Sequence, residues 1–263
     1  MNLKEKQMLN LLKDLKENHN VIGIKAEFEA EGTRSNEMIN LCQIVHKADS
    51  SLYLKIGGCE AVSDMDAAKN YGVVGIIAPM IESPFALKKF HESVIKTFSK
   101  DEIKEMDFLI NIETKTAYTC LNDIMDSADA EFLFGAVIGR VDLSASYNLG
   151  RVGINSDEMF ELCKNILEKL QSKKKLAGMG GAISYEALPF IKKLGSLIER
   201  TETRKVIFDL KSGTEKLESG LKKAMEFEYL YMLNFADIYS KMSLENEFRI
   251  KMLKDRLDCN LKN

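Results

Sequence analysis

The chain has 263 residues, of which 45% are hydrophobic and 29% are charged, and its formal net charge is −3. These values describe a globular protein of one large α/β domain or two small ones, and the balanced charge provides no basic field for nucleic acid. No apolar run reaches the roughly 20 residues that cross a bilayer, and the N-terminus has no secretory signal, so we expect a cytoplasmic protein without a membrane partner.

The predicted elements alternate between amphipathic helices and short β-branched strands. A helix is predicted over residues 3–18, where Met8, Leu12 and Leu15 lie on one face, and a strand follows over residues 21–28. Residues 140–155 are predicted to be irregular. The further strands are predicted over residues 52–58, 73–80, 107–114, 132–139, 175–184 and 196–208, and the further helices over residues 35–48, 61–70, 83–98, 117–125, 185–195 and from residue 156 onward.

This order predicts an α/β fold, a TIM-type (β/α) barrel. Apolar strands separated by helices indicate a parallel sheet covered on both faces, as in a barrel or a doubly wound fold. A complete barrel needs eight strands, whereas the patterns give seven. The eighth is expected before Asn20, where the pattern indicates helix, so the first strand is predicted to be incomplete or divergent. We assign residues 1–212 to the barrel domain and 213–263 to a helical extension that packs on the barrel or on a neighbouring subunit.

Polar residues are concentrated where the predicted strands end, which is where parallel α/β folds place their functional groups. Two carboxylates on neighbouring strand ends suit Mg²⁺, which takes few protein carboxylates and completes its shell with water and substrate oxygens. The three histidines lie in a loop and on two helices, which disfavours an imidazole-rich site. The strand-end residues are Glu27, Glu29, Glu31, Arg34, Lys55, Glu60, Glu82, Asn111, Glu113, Arg140, Asp142, Glu199, Arg200, Glu202 and Arg204.

A structural role is the alternative for each of these side chains. A carboxylate at a strand end commonly caps the following helix, and for any one of them taken alone this is the more frequent role. Lys55 can extend its amine from a partly buried strand, and Arg200 and Arg204 can form salt bridges at the barrel rim.

Three segments resemble one known family: IAPMIESPFAL, NIETKTAYTCLNDIM and FGAVIGRVDLSASYNLGR. They are similar to the HpcH/HpaI aldolase and citrate lyase β-subunit family, within the phosphoenolpyruvate/pyruvate-binding barrel superfamily. The similarity covers residues 21–208. The IET and G-x-x-DLS motifs are specific in combination and weak separately.

The resemblance implies a lyase or aldolase in which Glu113 of IET and Asp142 of DLS bind Mg²⁺ or Mn²⁺. The ion is expected to bind the carboxylate and carbonyl oxygens of a 2-oxo acid such as pyruvate and to stabilise its enolate as a Lewis acid. Backbone N–H groups at the DLS turn are expected to bind the substrate carboxylate. The substrate-binding positions implied in this way are Lys55, Asn111, Gly139, Arg140 and Val141.

Two positions depart from the family pattern. Lys55 stands where the family usually has an arginine that contacts substrate oxygens, and lysine keeps the charge but lacks the planar fork, so we expect a different substrate geometry. The aldolases' catalytic histidine, expected after the strand that ends at Phe28, is absent. Glu29 and Glu82 are predicted as proton carriers from their positions alone.

Three functions remain open. The first is carbon–carbon bond cleavage or formation on a 2-oxo acid, with Lys55, Glu82 and Glu29 as catalytic residues. The second is a citrate-lyase-β-like acyl-CoA lyase, whose CoA phosphates would need Arg140, Arg151 and Arg204 as a cationic patch. The third is a non-catalytic binding or assembly barrel. We also expect a homo-oligomer, since a terminal helix in this superfamily commonly packs on a neighbouring subunit; the extension carries Leu217, Leu221, Met225, Leu230, Leu233 and Tyr239.

Overall fold

Eight strands close into a barrel in the computed structural model, which describes residues 1–28 and 30–260. The strands follow one another around the barrel in chain order, so the TIM-type prediction is confirmed. They are β1 (Val21–Glu27), β2 (Ser51–Lys55), β3 (Gly75–Ala78), β4 (Asp107–Ile112), β5 (Gly135–Gly139), β6 (Leu176–Gly180), β7 (Arg200–Glu202) and β8 (Val206–Asp209).

Helices surround the barrel and connect its parallel strands. Their starts follow ordinary capping chemistry; Ser83, for example, accepts a hydrogen bond from the backbone N–H of Ala86 ahead of a proline at the first helical position. The helices are α1 (Leu3–Asn18), α2 (Ser35–Lys47), α3 (Val62–Asn70), α4 (Pro84–Thr97), α5 (Lys100–Glu105), α6 (Lys115–Thr119), α7 (Leu121–Asp126), α8 (Arg140–Ser146), α9 (Asp157–Ser172), α10 (Leu188–Leu194) and α11 (Leu217–Asn260).

The eighth strand comes from the end of the barrel sequence. β8 lies between β7 and β1 and runs antiparallel to both. The turn at residues 203–205 makes this direction necessary, because a parallel crossover needs about a dozen residues or more. Residues 196–208, predicted as one strand region, thus contain a hairpin. The expected incomplete first strand was also wrong: the segment before Asn20 is α1, begun by a capping box of Asn2 and Glu5, and β1 is complete.

Residues 140–155 were predicted to be irregular, but they begin with α8. Gly139 precedes its first residue, and Asp142 lies in its first turn, where a carboxylate interacts favourably with the helix dipole. The helix is short because Asn148 adopts a left-handed backbone conformation, with φ 59°. The structure therefore places Asp142 on a helix that starts directly at a strand end.

Two apolar layers hold the barrel together. The outer layer lies between strands and helices, with side chains such as Ile24, Ile110 and Ile138. The inner layer fills the barrel and contains one large ring, that of Tyr53. A Cβ at Gly75 would lie 2.4 Å from this ring, so the glycine is what makes room for it. The other inner-layer residues are Ile77, Leu109, Val137 and Ile207.

Helix α11 packs its first half on its own barrel. Leu217, Leu221 and Phe227 are buried, and Lys223 forms an ion pair with Asp14 of α1. Further along, the helix exposes large apolar side chains: Leu244 is 66% and Phe248 70% exposed. In the part of the chain that the structure describes, no helix combines the length and apolar character needed to cross a membrane.

Candidate active site

The site is a cavity of about 560 Å³ at the C-terminal ends of the strands. This is the end at which (β/α) barrels carry their functional groups. Its walls come from two sides of the barrel, one built by β2, β4 and β5 and the other by β1 and the β7–β8 hairpin. The residues that line it include Lys25, Glu27, Lys55, Asn111, Glu113, Gly139, Val141, Asp142, Arg151, Gly181, Glu202, Thr203, Arg204 and Glu228.

Glu113 is the buried carboxylate of the first wall, with 1% of its surface exposed. Its Oε1 accepts a hydrogen bond from the backbone N–H of Met80 at 3.0 Å, and its Oε2 accepts one from Asn111 Nδ2 at 3.0 Å. Lys55 Nζ lies 3.6 Å from the same Oε2. A buried carboxylate is costly unless its charge is compensated, and Lys55 is the cation that the structure brings to it.

Gly139 allows Glu113 to approach β5 closely. A Cβ at this position would lie 2.6 Å from Glu113 Oε2, a separation that real Cβ atoms do not show. Any larger residue would displace the carboxylate. Gly139 thus provides space for a neighbouring side chain, while the substrate-binding role expected of its backbone stays a prediction.

Asp142 lines the same cavity as Glu113, but from an exposed position on α8. Asn111 adds a neutral oxygen: its Oδ1 is buried and accepts no hydrogen bond from any described residue. Two carboxylates and an amide oxygen are hard ligands of the kind that Mg²⁺ and Mn²⁺ accept. Across residues 1–28 and 30–260, no group of three or more His, Cys, Asp or Glu is arranged to hold a metal. The donors that line the cavity, Glu113, Asp142 and the unpartnered Oδ1 of Asn111, are of the kind that suits an ion whose remaining ligands are water or substrate oxygens.

Arg140 follows Gly139 directly, yet its side chain turns away from the cavity and is fully buried. The guanidinium donates to Asn155 Oδ1 at 2.9 Å and to the carbonyl of Gly181 at 2.9 Å. Its backbone N–H and that of Val141 remain near the cavity, since a Cβ at Gly181 would lie 2.8 Å from both nitrogens. Only the backbone of Arg140 can therefore serve the substrate-binding role predicted for this residue.

The two predicted proton carriers are not both in the site. Glu82 lies outside the cavity, where its Oε1 accepts a hydrogen bond from Thr114 Oγ1 at 2.5 Å in a separate surface depression. This placement does not support the proton-carrier role predicted for Glu82. Glu29, the other predicted carrier, lies outside the described residues.

The second wall carries a buried charge network in which the salt bridge expected for Arg200 is present, whereas Lys25 and its pairing were not predicted from the sequence. Lys25 Nζ lies 2.6 Å from Glu202 Oε1 and 3.3 Å from Glu27 Oε1, and Arg200 Nη2 lies 3.3 Å from Glu202 Oε2. Burial opposes the charge on Lys25, but Glu202 and Glu27 outweigh it and raise the pKa of Lys25. Burial likewise opposes ionisation of Glu202, but Lys25 and Arg200 outweigh it and lower the pKa of Glu202. Both stay charged at neutral pH.

A second set of contacts fixes the hairpin over the cavity. Glu31, in the loop after β1, pairs with both Arg204 and Lys205. Glu228 of α11 accepts hydrogen bonds from Thr203 Oγ1 at 2.5 Å and from the backbone N–H of Lys205 at 2.9 Å. The C-terminal helix is thereby connected to the cavity wall.

No family model and no curated protein sequence matches the chain. Solved structures do match its fold. An HpcH/HpaI aldolase from Desulfitobacterium hafniense is 11% identical and has a TM-score of 0.60, with 77% of this chain and 83% of that chain covered. An HpcH/HpaI aldolase/citrate lyase family protein from Burkholderia cenocepacia is 12% identical with a TM-score of 0.61, covering 77% and 85%. The fold is that of the HpcH/HpaI aldolases.

A citrate synthase, SbnG, is a further match to this HpcH/HpaI-type barrel, at 14% identity and a TM-score of 0.57, with 73% of this chain and 80% of that chain covered. The resemblance carried by the IET and DLS motifs is confirmed at the level of fold. At such low identities the similarity shows the fold and not the activity of this chain.

Proposed function

We propose that the chain is a divalent-metal-dependent carbon–carbon lyase or aldolase that acts on a 2-oxo acid. One observation carries the proposal: Glu113 is buried beside Lys55, and Asp142 lines the same cavity. The two acids were proposed as metal ligands on the basis of motifs, and their presence in one cavity supports that role.

Glu113 and Asp142 would hold Mg²⁺ or Mn²⁺, with the unpartnered Oδ1 of Asn111 as a neutral donor. When bound, such an ion acts as a Lewis acid toward the carbonyl oxygen of the 2-oxo acid. Asn111 also donates from its Nδ2 to Glu113, which keeps the carboxylate oriented toward β5. Loss of a hydrogen bond to a metal-binding side chain commonly lowers metal affinity by about 10- to 100-fold.

Lys55 and the DLS turn would bind the substrate carboxylate. Lys55 is half-buried, pairs with Glu113 and lines the cavity, so its amine can also face an anion there. The first backbone N–H groups of a helix lack partners within the helix, and those of Arg140 and Val141 lie next to Gly181. Together they supply a positive charge and directed donors for a small dicarboxylate or oxo acid.

The acyl-CoA lyase alternative is disfavoured by the arginines. Of its three candidate phosphate-binding residues, Arg140 is fully buried and engaged with Asn155 and Gly181. Arg204 is paired with Glu31 at 2.8 Å. Arg151 remains as an exposed side chain at the cavity. One free arginine is a poor anchor for the several phosphates of CoA.

A metal-dependent thermal shift with pyruvate, oxaloacetate and oxalate tests the proposal. A ligand at a hundredfold excess over its Kd stabilises the folded state by about 2.7 kcal/mol. We expect the shift to require Mg²⁺ or Mn²⁺, to disappear in Asp142→Asn, and to persist in Asp101→Asn, an exposed acid on α5. Equal shifts in all three proteins would refute the proposed site.

Turnover separates the remaining functions. We expect cleavage of a 4-hydroxy-2-oxo acid to give a 2-oxo acid, with no cleavage of a CoA thioester. Thioester cleavage alone would support the acyl-CoA lyase. Ligand binding with neither reaction would support a non-catalytic barrel.

We further propose that the protein is a homo-oligomer. The exposed Leu244 and Phe248 lie on the part of α11 that extends beyond its own barrel contacts. Met232 and Ile250 of the same helix are exposed as well, and clusters of exposed apolar side chains commonly mark contact surfaces. Light scattering should give a mass above that of one 29.7 kDa chain, and Phe248→Asp should lower it.

A further inference from the structure

We infer that Glu27 is the proton carrier of this site, a role that rests on the function proposed above. The family's histidine is missing, Glu82 lies outside the cavity, and the chemistry still needs a group that takes a proton from the 2-oxo acid. Glu27 is a carboxylate at the C-terminal end of β1 and lines the cavity.

The strand pairing puts Glu27 beside the proposed substrate site. Glu27 and Lys55 are Cα partners in the parallel pair of β1 and β2, and the backbone N–H of Phe28 bonds to the carbonyl of Lys55 at 3.2 Å. Side chains alternate along a strand, so Lys25 and Glu27 both face inward while Ala26 packs outside. Glu27 therefore lies on the strand next to the one that supplies Lys55, which in turn contacts Glu113.

Glu27 also has fewer ion-pair partners than Glu202, the other acid of the buried network. Glu202 is bonded through both oxygens, one to Lys25 and one to Arg200, and is 3% exposed. The Oε1 of Glu27 is 3.3 Å from Lys25 Nζ, and among the described residues its carboxylate has no second hydrogen bond or ion pair. One carboxylate oxygen of Glu27 is thus available to the cavity.

The other acids around the cavity are bonded to other groups or have another proposed role. Glu228 accepts from Thr203 and from the Lys205 backbone, and Glu31 is paired with Arg204 and Lys205. Glu113 and Asp142 are the proposed metal ligands. Glu27 is the described acid that combines access to the cavity with an unengaged oxygen.

Lys25 and Glu202 act as positioning residues for Glu27. Lys25 pairs with both Glu27 and Glu202, and Arg200 pairs with Glu202, in a buried place. The ion pair with Lys25 holds the Glu27 side chain at the wall.

The step itself is a proton transfer. The C3–H bond of the 2-oxo acid breaks, and the proton forms an O–H bond on Glu27. The C–H electron pair becomes the C2–C3 double bond, while the carbonyl pair moves to the C2 oxygen. Nothing is oxidised or reduced, and return of the proton to C3 restores the 2-oxo acid.

Exchange of the methyl protons of pyruvate in D₂O, followed by proton NMR with Mg²⁺, tests the inference. General base catalysis contributes about 10²–10⁴-fold, so Glu27→Gln should lower the exchange rate at least a hundredfold. The same variant should keep the Mg²⁺-dependent thermal shift with oxalate. Glu92→Gln, the same change at an exposed acid of α4, should exchange at the wild-type rate.

The outcomes separate the two proposals. Wild-type exchange that persists in Glu27→Gln overturns the role of Glu27 and leaves the metal-dependent function intact. Absence of both exchange and the oxalate shift in wild type overturns the function and, with it, the inference. If Glu27→Gln does not fold, Glu27→Asp decides: a shortened carboxylate should retain exchange at a reduced rate, and an unchanged rate would overturn the role.

Discussion

The two walls of the cavity differ in how far their charged and polar groups are paired within the protein. On the β2–β4–β5 side, Glu113 meets one cation at 3.6 Å, Asn111 Oδ1 is unpartnered among described residues, and Asp142 is exposed. On the β1–β7–β8 side, Lys25 and Glu202 form a 2.6 Å pair that is closed by Arg200. The first wall presents polar atoms to a ligand, whereas the second pairs its carboxylates and Lys25 with one another and leaves only Nε and Nη1 of Arg200 without a partner among its buried charged groups in the described residues.

This difference predicts which property each wall controls. Under-partnered groups gain most from a ligand, so changes on the first wall should alter binding and turnover more than folding. Buried pairs are most sensitive to losing one member, so changes on the second wall should alter folding more than binding. Glu27 is the exception: it lies on the second wall, but its proposed role is proton transfer, so its replacement should affect turnover more than folding.

The largest effect is expected for Lys25→Met. It leaves Glu202 buried with Arg200 as its remaining partner, and breaking a buried pair costs about 3–5 kcal/mol of unfolding free energy. Urea denaturation measures this. Lys25→Met/Glu202→Gln should cost less than the sum of the two single changes, because each single change already removes the Lys25–Glu202 pair. A double variant as unstable as the sum of the single changes would contradict the network.

Glu113→Gln should reduce activity more than it reduces stability. Glutamine can still accept from the Met80 N–H, but its amide nitrogen would face Asn111 Nδ2 and leave Lys55 unpaired, so we expect a loss of about 1–3 kcal/mol, smaller than for Lys25→Met. Loss of a metal-binding carboxylate should lower kcat/KM at least a hundredfold, about 2.7 kcal/mol in the barrier. Full activity in this variant would remove Glu113 from the site.

Gly139→Ala tests the close approach of β5 to Glu113. The new methyl would lie 2.6 Å from Glu113 Oε2, and overpacking of this kind costs about 1–3 kcal/mol. Both stability and affinity for Mn²⁺ should fall. Gly58→Ala is the matched control, since nothing lies within 4 Å of its Cβ position. Similar behaviour of the two variants would mean that Gly139 has no such role.

The smallest effect is expected for Lys55→Arg. The charge beside Glu113 is kept while the donor geometry changes, so KM for the 2-oxo acid should change by less than about tenfold. Lys55→Met removes the charge and should raise KM by more than the arginine variant does. Steady-state kinetics on both variants gives the comparison, and equal KM values would exclude Lys55 from substrate binding.

The sequence predicted the barrel and the first wall because both depend on local signals. Apolar strands in βα order and two short motifs are sufficient to place Glu113 and Asp142 at neighbouring strand ends. Arg140 shows the limit of this reasoning. Successive side chains of a helix point in directions about 100° apart, so the side chain of Arg140 can point into the protein while its backbone and Asp142 face the cavity.

The second wall and the last strand could not be predicted in the same way. Lys25 and Glu202 are 177 residues apart, and only barrel closure brings them together. Their one local signal is charge at alternate positions of IKAEF and RTETR, which a half-exposed strand shows equally. The hairpin between β7 and β8 turns at Thr203, Arg204 and Lys205, with none of the glycine, asparagine or proline that usually marks a turn.

Direct titration with Mn²⁺, followed by the electron paramagnetic resonance signal of the free ion, tests the central claim that Glu113 and Asp142 together bind a divalent cation. We predict one bound Mn²⁺ per wild-type chain, displaced by Mg²⁺, and a Kd raised at least tenfold in Asp142→Asn but unchanged in Asp101→Asn. Equal Mn²⁺ binding by wild type and Asp142→Asn would contradict the account.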